Sequence, residues 1–196
     1  QKSIKKFDFK KIDAIAATYG PGLIGGLIVG SSFAKGLSIS RQKKLIPINH
    51  LQAHLLSPRL TSNLSFPYLC LLVSGGNTAL VIVKSPKKFV TLGSTIDDSA
   101  GECFDKVSKA LGLGYPGGPI IEKLALKGDH HKYKLPLPLT KVKNCNFSFS
   151  GLKTAAIDII KKNRINKKFL ENFCASFQYT VGEIFKKKIE NSLDEM

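Results

Sequence analysis

Residues 68–84 read YLCLLVSGGNTALVIVK, and this stretch predicts two β-strands joined by a tight turn. Two apolar runs flank the polar segment SGGN at residues 74–77, a pattern typical of a β-hairpin. The two glycines leave backbone N–H groups open to a ligand such as a phosphate. No Gly-Lys-Ser/Thr follows, so the segment is not a Walker A loop. An ordinary hairpin turn and an anion-binding turn both fit these residues.

Strands and helices alternate on both sides of this hairpin. On the N-terminal side we predict strands at residues 12–18 and 45–48 and helices at residues 23–40 and 50–56. On the C-terminal side we predict a strand at residues 89–92 and helices at residues 99–111, 119–126, 151–161 and 167–193. This order predicts the α/β class.

The composition indicates a folded, basic protein. The 196 residues include 30 Lys+Arg and 14 Asp+Glu, for a net charge of +16, and 43% are apolar. A chain of this kind can bury a core, and no apolar run approaches the ~20 residues of a membrane span. The excess lysine fits a solvated surface or attraction to a polyanion such as RNA. The four cysteines form no CxxC pair, so we expect a reducing cytosol rather than a zinc ribbon or a disulfide scaffold.

The histidines of His50-Leu51-Gln52-Ala53-His54 are four residues apart. On a helix that spacing places both imidazoles on one face, where they could bind one metal ion. Two amphipathic histidines at a helix start are the alternative. A zinc protease of the HExxH type is disfavoured, because Leu51 occupies the position of the general-base glutamate.

Four acidic residues cluster in a basic chain: Asp97, Asp98, Glu102 and Asp105. Either Asp98 or Ser99 could cap the following helix, where acids in the first turn also suit the helix dipole. Capping does not explain Asp105, which lies two turns into the helix. Asp105 could instead accept hydrogen bonds from ribose hydroxyls.

The segment GLGYPGGP, residues 112–119, precedes Glu122 on the next predicted helix. It could place backbone against a flat ligand within reach of Glu122, or it could be a tight turn between helices. In the later segment FSFSGLKT we expect Phe147 and Phe149 in the core and Ser150 as a helix cap.

Five segments in this order resemble the Kae/Gcp/TsaD family, the threonylcarbamoyl transferases that modify tRNA. They are TYGPGLIGGLIVGSSFAKGLS (18–38), NHLQAHLLSP (49–58), LLVSGGNTAL (71–80), IDDSAGECFDKVSKALGLGYPGGPIIEKLA (96–125) and FSFSGLKTAA (147–156). GYPGGP together with FSFSGLKTA is typical of the bacterial or organellar branch.

The resemblance implies the actin/Hsp70/sugar-kinase-like (ASKHA) fold, with two related α/β lobes around a nucleotide cleft. Residues 1–94 are then the remainder of the N-terminal lobe, with the metal-binding histidines and the substrate loop. Residues 95–196 are part of the second lobe, with the nucleoside-contacting helix and loop. The family's first strands and its third metal ligand, an aspartate, lie outside this sequence. We therefore expect a central fragment of a longer protein that is inactive when isolated.

The implied reaction moves the threonylcarbamoyl group from threonylcarbamoyl-AMP to N6 of adenosine 37 in tRNAs that read ANN codons. His50 and His54 are the implied ligands of one divalent metal ion, with Fe²⁺ favoured and Zn²⁺ or Mg²⁺ possible. The implied substrate-binding residues are Leu72, Val73, Ser74, Gly75, Gly76, Asp105, Gly118 and Glu122. No residue is assigned as the catalytic acid or base.

The resemblance also implies the paralogous dimer partner TsaB, the ATPase TsaE, and a cytoplasmic or organellar-matrix location without a membrane partner. Three alternatives remain open at this point. The chain could be the family's non-catalytic paralogue or an inactive fragment that binds nucleotide, although the histidine pair argues against the paralogue. It could be a metalloprotease, in line with the family's historical O-sialoglycoprotease label. It could also be a lysine-rich RNA-binding module without catalysis.

Overall fold

A computed structural model describes residues 8–193 of the chain. It confirms the α/β class and divides the chain into two compact units, Gln1–Leu64 and Ser65–Met196. This division does not test where the two lobes of the expected ASKHA fold meet. The expected lobe boundary between residues 94 and 95 therefore stays a prediction. No helix among residues 8–193 is both long enough and apolar enough to cross a membrane.

The first unit is a β-α-β segment followed by a short helix. Its elements are β1 (Ala14–Gly20), α1 (Ile24–Ser40), β2 (Lys44–Asn49) and α2 (His50–Leu56), with 3₁₀ turns at Phe9–Lys11 and Ser57–Leu60. Strands β1 and β2 pair in parallel, with Gly20 opposite Asn49. The parallel register therefore brings together the residues that follow each strand, Pro21 and His50.

The second unit begins with a three-stranded antiparallel sheet. Its strands are β3 (Tyr68–Val73), β4 (Thr78–Ser85) and β5 (Lys88–Ser94), in the order β3-β4-β5. The predicted hairpin is confirmed, since Val73 pairs with Thr78 across the turn. Strand β4 is central and its side chains are mostly buried, as expected for a strand with neighbours on both sides.

Four helices complete the second unit: α3 (Ala100–Ala110), α4 (Gly117–Ala125), α5 (Ser150–Lys162) and α6 (Lys167–Leu193). Their apolar faces form one core with the sheet residue Leu80. The core includes Phe147 and Phe149, both fully buried as expected, and Phe173 and Phe177 of α6. Aromatic side chains of this size supply much of the burial free energy, about 25 cal/mol per Å² of apolar surface.

Helix α5 begins differently from the prediction. Ser150 is its first helical residue rather than its cap, and the backbone N–H groups of Phe149 and Ser150 donate to Asp97 Oδ1 at 2.8 and 3.3 Å. Asp97 Oδ2 also accepts the hydroxyl of Ser148. A carboxylate from 52 residues earlier thus performs the capping role.

The loop before Phe147 wraps around the ammonium group of Lys188, a fully buried side chain of α6. Lys188 Nζ donates to the carbonyl oxygens of Leu139, Val142 and Asn144 at 2.8, 3.2 and 2.9 Å. Burial lowers the pKa of Lys188. These bonds fix the loop that leads into the core at Phe147.

Candidate functional site

The turn between β3 and β4 is held rigid by its own hydrogen bonds. The Ser74 N–H donates to the Asn77 carbonyl at 2.8 Å, and the Asn77 N–H donates to Ser74 Oγ at 3.0 Å. Gly75 and Gly76 at its tip carry no side chain, and a Cβ on either would meet no atom within 4 Å. The turn therefore presents open backbone, as an anion-binding turn must.

The N-terminal end of α3 lies directly against this turn. Ser99 Oγ donates to the Gly75 carbonyl at 2.7 Å and accepts the Glu102 N–H at 3.2 Å, so Ser99 is the helix cap. A Cβ on Gly101 would lie 2.5 Å from the Ser74 carbonyl oxygen and 2.8 Å from Gly75 Cα. Glycine at position 101 is thus required for this close approach of helix and turn.

Asp105 connects α3 to the start of α4. Its Oδ1 accepts the Gly117 N–H at 2.7 Å, and this bond begins α4 two residues earlier than predicted. Pro119 fits as the third helical residue, because the first turn of a helix needs no intrahelical donors. A Cβ on Gly117 would meet the Phe104 carbonyl oxygen at 2.5 Å. Asp105 therefore has a structural bond in addition to the ligand role predicted for it.

These elements surround a cavity of about 560 Å³ in the second unit. Six of the eight predicted substrate residues line it: Val73, Ser74, Gly75, Asp105, Gly118 and Glu122. The other two, Leu72 and Gly76, are adjacent to lining residues in the chain but do not line the cavity themselves. A cavity of this volume is within the range of small-molecule sites.

Six further lining residues were not predicted: Gly101, Phe104, Tyr115, Pro116, Pro119 and Gln178. Tyr115 and the two prolines belong to the GYPGGP segment that the sequence singled out, and Tyr115 is 83% exposed at the cavity. Gln178 comes from α6. The only feature of the sequence that could have indicated it is that this polar residue directly follows the core residue Phe177. Most of the added wall is apolar and planar, which suits a flat ligand.

The rest of the acidic cluster has structural partners. Asp98 accepts hydrogen bonds from Lys106, at 3.2 Å, and from Lys153, while Lys106 also pairs with Glu102 at 2.7 Å. The hydrogen bond from Lys153 is the main cause that lowers the pKa of Asp98. Together with Asp97 at the start of α5, these pairs account for three of the four carboxylates.

The cysteine on α3 is buried and its thiol is protonated at neutral pH. Burial raises the pKa of the Cys103 thiol to about 12, and its Sγ lies 3.8 Å from the Phe149 carbonyl oxygen. A thiol in that state carries almost no thiolate at neutral pH.

In the first unit the imidazole rings of His50 and His54 lie side by side, with ring centroids 4.5 Å apart. The Nε2 atoms of His50 and His54 are 2.9 Å apart on the exposed face of α2. His50 Nδ1 lies 3.1 Å from the Pro21 carbonyl oxygen, so its proton belongs on Nδ1 and Nε2 keeps its lone pair. Nitrogen ligands at roughly 2.1 Å from one ion, at a right angle, are about 3 Å apart.

Within residues 8–193 no three His, Cys, Asp or Glu side chains come together around one point. Two imidazoles at this separation could occupy two positions around one divalent ion, which needs further ligands to complete its coordination. In the absence of an ion, His54 Nε2–H can donate to His50 Nε2. The pair can thus share a proton or bind a cation.

Comparisons with known proteins identify the family of the chain. The family model for tRNA N6-adenosine threonylcarbamoyltransferase, TsaD, matches residues 2–196. The chain belongs to the TsaD family. The sequence motifs identified the same family.

Curated bacterial relatives are similar over almost all of this TsaD-family chain. The tRNA N6-adenosine threonylcarbamoyltransferase of Orientia tsutsugamushi strain Boryong is 53% identical over 189 residues, or 96% of this chain and 55% of the relative. The enzyme of the same name from Rickettsia peacockii is 54% identical over 183 residues, or 93% and 53%. The chain spans about half the length of the curated relatives it matches.

Proposed function

We propose that the protein transfers the threonylcarbamoyl group from threonylcarbamoyl-AMP to N6 of adenosine 37 in tRNAs that read ANN codons. The main support is the cavity of the second unit, where residues from the β3–β4 turn, α3 and α4 meet. These are the segments on which the family's substrate residues fall. Family membership supplies the reaction, and the cavity offers a site for the nucleotide half of the donor.

The residue types suit a nucleotide. Backbone N–H groups of the turn at Gly75 and Gly76 can donate to the phosphate. Asp105 keeps Oδ2 uncommitted among the described residues, and Glu122 extends from α4, so both can accept hydrogen bonds from ribose hydroxyls. Gly118 leaves the helix start open to the ligand, since a Cβ there would meet no atom within 4 Å.

The transfer forms a bond from N6 of adenosine to the carbamoyl carbon and breaks the bond from that carbon to the phosphate oxygen, so AMP leaves and N6 gives up one proton to water. Holding AMP by its ribose and phosphate fixes the direction of departure. His50 and His54 would hold a divalent ion, Fe²⁺ by family resemblance or Zn²⁺ or Mg²⁺ in its place. When bound, such an ion supplies Lewis-acid polarisation of a carbonyl or phosphoryl oxygen.

The remaining parts of the proposal follow from the family. They are the two-lobed ASKHA fold, the partners TsaB and TsaE, and a cytoplasmic or organellar-matrix location. The four cysteines are far apart in the sequence and form no CxxC pair, which supports a reducing compartment. A protease role has no support from the helix α2, where Leu51 stands in place of a general-base glutamate.

The test is a transfer assay with labelled threonylcarbamoyl-AMP, tRNA, a divalent metal and the partner proteins. It compares the chain alone with a version extended at both ends, and adenylate binding is measured directly on both. Asp105→Asn is the informative variant, because its amide oxygen can still accept the Gly117 N–H while the charge is lost. We expect adenylate affinity to fall by about 1–3 kcal/mol with the melting temperature nearly unchanged. Normal adenylate affinity in the folded variant would contradict the nucleotide site. Binding of tRNA without any transfer by the extended version would favour a non-catalytic RNA-binding role.

A further inference from the structure

Gln178 is the one residue of α6 that lines the nucleotide cavity. It is half-buried, and among residues 8–193 its amide has no hydrogen-bond partner. Its position is fixed by the preceding residue, Phe177, which is fully buried and packs edge-on against Phe104 with ring centroids 5.0 Å apart. The core thus places an uncommitted amide at the cavity.

The other polar side chains at the cavity have different hydrogen-bonding capacities from Gln178. Ser74 Oγ already accepts the Asn77 N–H, and Asp105 Oδ1 accepts the Gly117 N–H. Ionised Asp105 and Glu122 accept hydrogen bonds only, which matches the donors of a ribose diol. An amide offers one acceptor and a donor side by side, which matches the edge of a heterocyclic base.

The surrounding wall favours a planar base over a flexible polar group. Phe104, Tyr115, Pro116 and Pro119 present flat or rigid apolar surfaces to the same cavity. Aromatic faces stack on bases irrespective of sequence, so they supply affinity without discrimination. Discrimination between bases then has to come from hydrogen bonds to the base edge, and Gln178 supplies an uncommitted amide at this wall.

We propose that Gln178 reads the base of the adenylate, with its carbonyl oxygen accepting from N6–H and its NH₂ donating to N7. This inference rests on the proposed nucleotide site and adds base specificity to it. Adenine presents a donor at N6 beside an acceptor at N7, and a glutamine amide pairs with both. Guanine presents two acceptors there, O6 and N7, which neither orientation of the amide can satisfy together.

The experiment measures the dissociation constants of ADP, GDP and 7-deaza-ADP by calorimetry for the wild-type protein, Gln178→Leu and Gln178→Glu. We expect the wild type to prefer ADP over both analogues by roughly 5- to 150-fold, the range of one bidentate base contact. Gln178→Leu should remove the preference of ADP over both analogues and leave GDP within about twofold of wild type. It should weaken 7-deaza-ADP less than ADP, because this analogue loses only the N6–H bond. Gln178→Glu keeps the acceptor for N6–H but opposes N7, so it should remove the difference between ADP and 7-deaza-ADP.

Tyr179→Phe is the matched control, because Tyr179 is the next residue of α6 and does not line this cavity. It should keep all three dissociation constants. If the wild type binds ADP and Gln178→Leu keeps the same preference, the assignment of Gln178 is wrong and the nucleotide site stands. If the wild type binds none of the three nucleotides, the nucleotide site itself is wrong. Should Gln178→Leu fail to fold, the Gln178→Glu comparison of ADP with 7-deaza-ADP decides by the same criteria.

Discussion

The two units of the molecule build their candidate sites in different ways. In the second unit the cavity walls are attached to a core that includes five buried phenylalanines: Phe147, Phe149, Phe169, Phe173 and Phe177. Among residues 8–64 of the first unit only Ala34 and Leu55 are buried apolar residues, and the histidine pair lies on an exposed seven-residue helix. The cavity therefore depends on tertiary packing, whereas the histidine pair depends on local helix geometry.

This difference predicts that small changes in packing will affect the cavity strongly. Gly101→Ala has the largest expected effect, since its Cβ would lie 2.5 Å from the Ser74 carbonyl oxygen and must displace the turn. We expect a loss of about 1–3 kcal/mol in unfolding free energy and a loss of ADP affinity of roughly tenfold or more. Chemical denaturation and calorimetry measure the two quantities.

Gly182→Ala is the control for this prediction. Gly182 lies in α6 of the same unit, and a Cβ there would meet no atom within 4 Å. That substitution should stabilise the helix by roughly 0.5–1 kcal/mol and leave ADP affinity unchanged. Equal effects of the two substitutions would mean that the turn does not depend on its contact with α3.

The distinction between local geometry and tertiary packing also explains which features could be predicted from the sequence. The spacing of His50 and His54 is local, and the structure brings their Nε2 atoms to 2.9 Å because one helical turn separates them. The bounds of α2 and α6 were predicted to the residue, since apolar periodicity and flanking polar residues define them. Local sequence patterns were therefore sufficient to predict the bounds of these helices and the proximity of His50 and His54.

Contacts between distant segments were not predictable in this way. Asp97 caps α5 from 52 residues away, and Gln178 reaches the cavity because α6 packs against α4 while its Phe177 contacts Phe104 of α3. Asp105 was singled out for a ligand role, yet its bond to the Gly117 N–H required knowing how α3 and α4 meet. No single-sequence pattern encodes such pairings, which depend on how the whole core packs.

The ion pairs around Asp98 test whether the second unit also depends on charge. The pKa of Asp98 is lowered by Lys153 and Lys106, so its contribution to stability is present above the unfolded pKa of about 3.9 and is lost as the pH falls through the lower, folded value. Asp98→Asn should therefore cost about 1–3 kcal/mol at pH 7. The difference in melting temperature from wild type should shrink as the pH falls below about 4.

Asp158→Asn provides the comparison, because Asp158 is exposed on α5 and no ion pair among residues 8–193 involves it. It should change the unfolding free energy by less than about 0.5 kcal/mol at any of these pH values. A melting-temperature difference for Asp98→Asn that stays constant down to pH 2 would show that packing, not charge, is lost in that variant.

The smallest expected effect concerns the local geometry of the first unit. Asn49 caps α2 by accepting the Gln52 N–H at 3.1 Å, and His50 is the first residue of that helix. Asn49→Ala should destabilise the helix by about 1 kcal/mol and weaken divalent-metal affinity by roughly fivefold, because the imidazoles then spend less time side by side. ADP affinity should not change, since the cavity belongs to the packed second unit.

Three control variants accompany this prediction. Asn49→Ser should restore metal affinity because serine is also a good helix cap, and Gln52→Ala should have no effect because it keeps the capped N–H. The double variant His50→Ala/His54→Ala sets the level of no metal binding. If Asn49→Ala reduces ADP affinity as much as metal affinity, the two sites are not independent and the contrast between local and tertiary control is wrong.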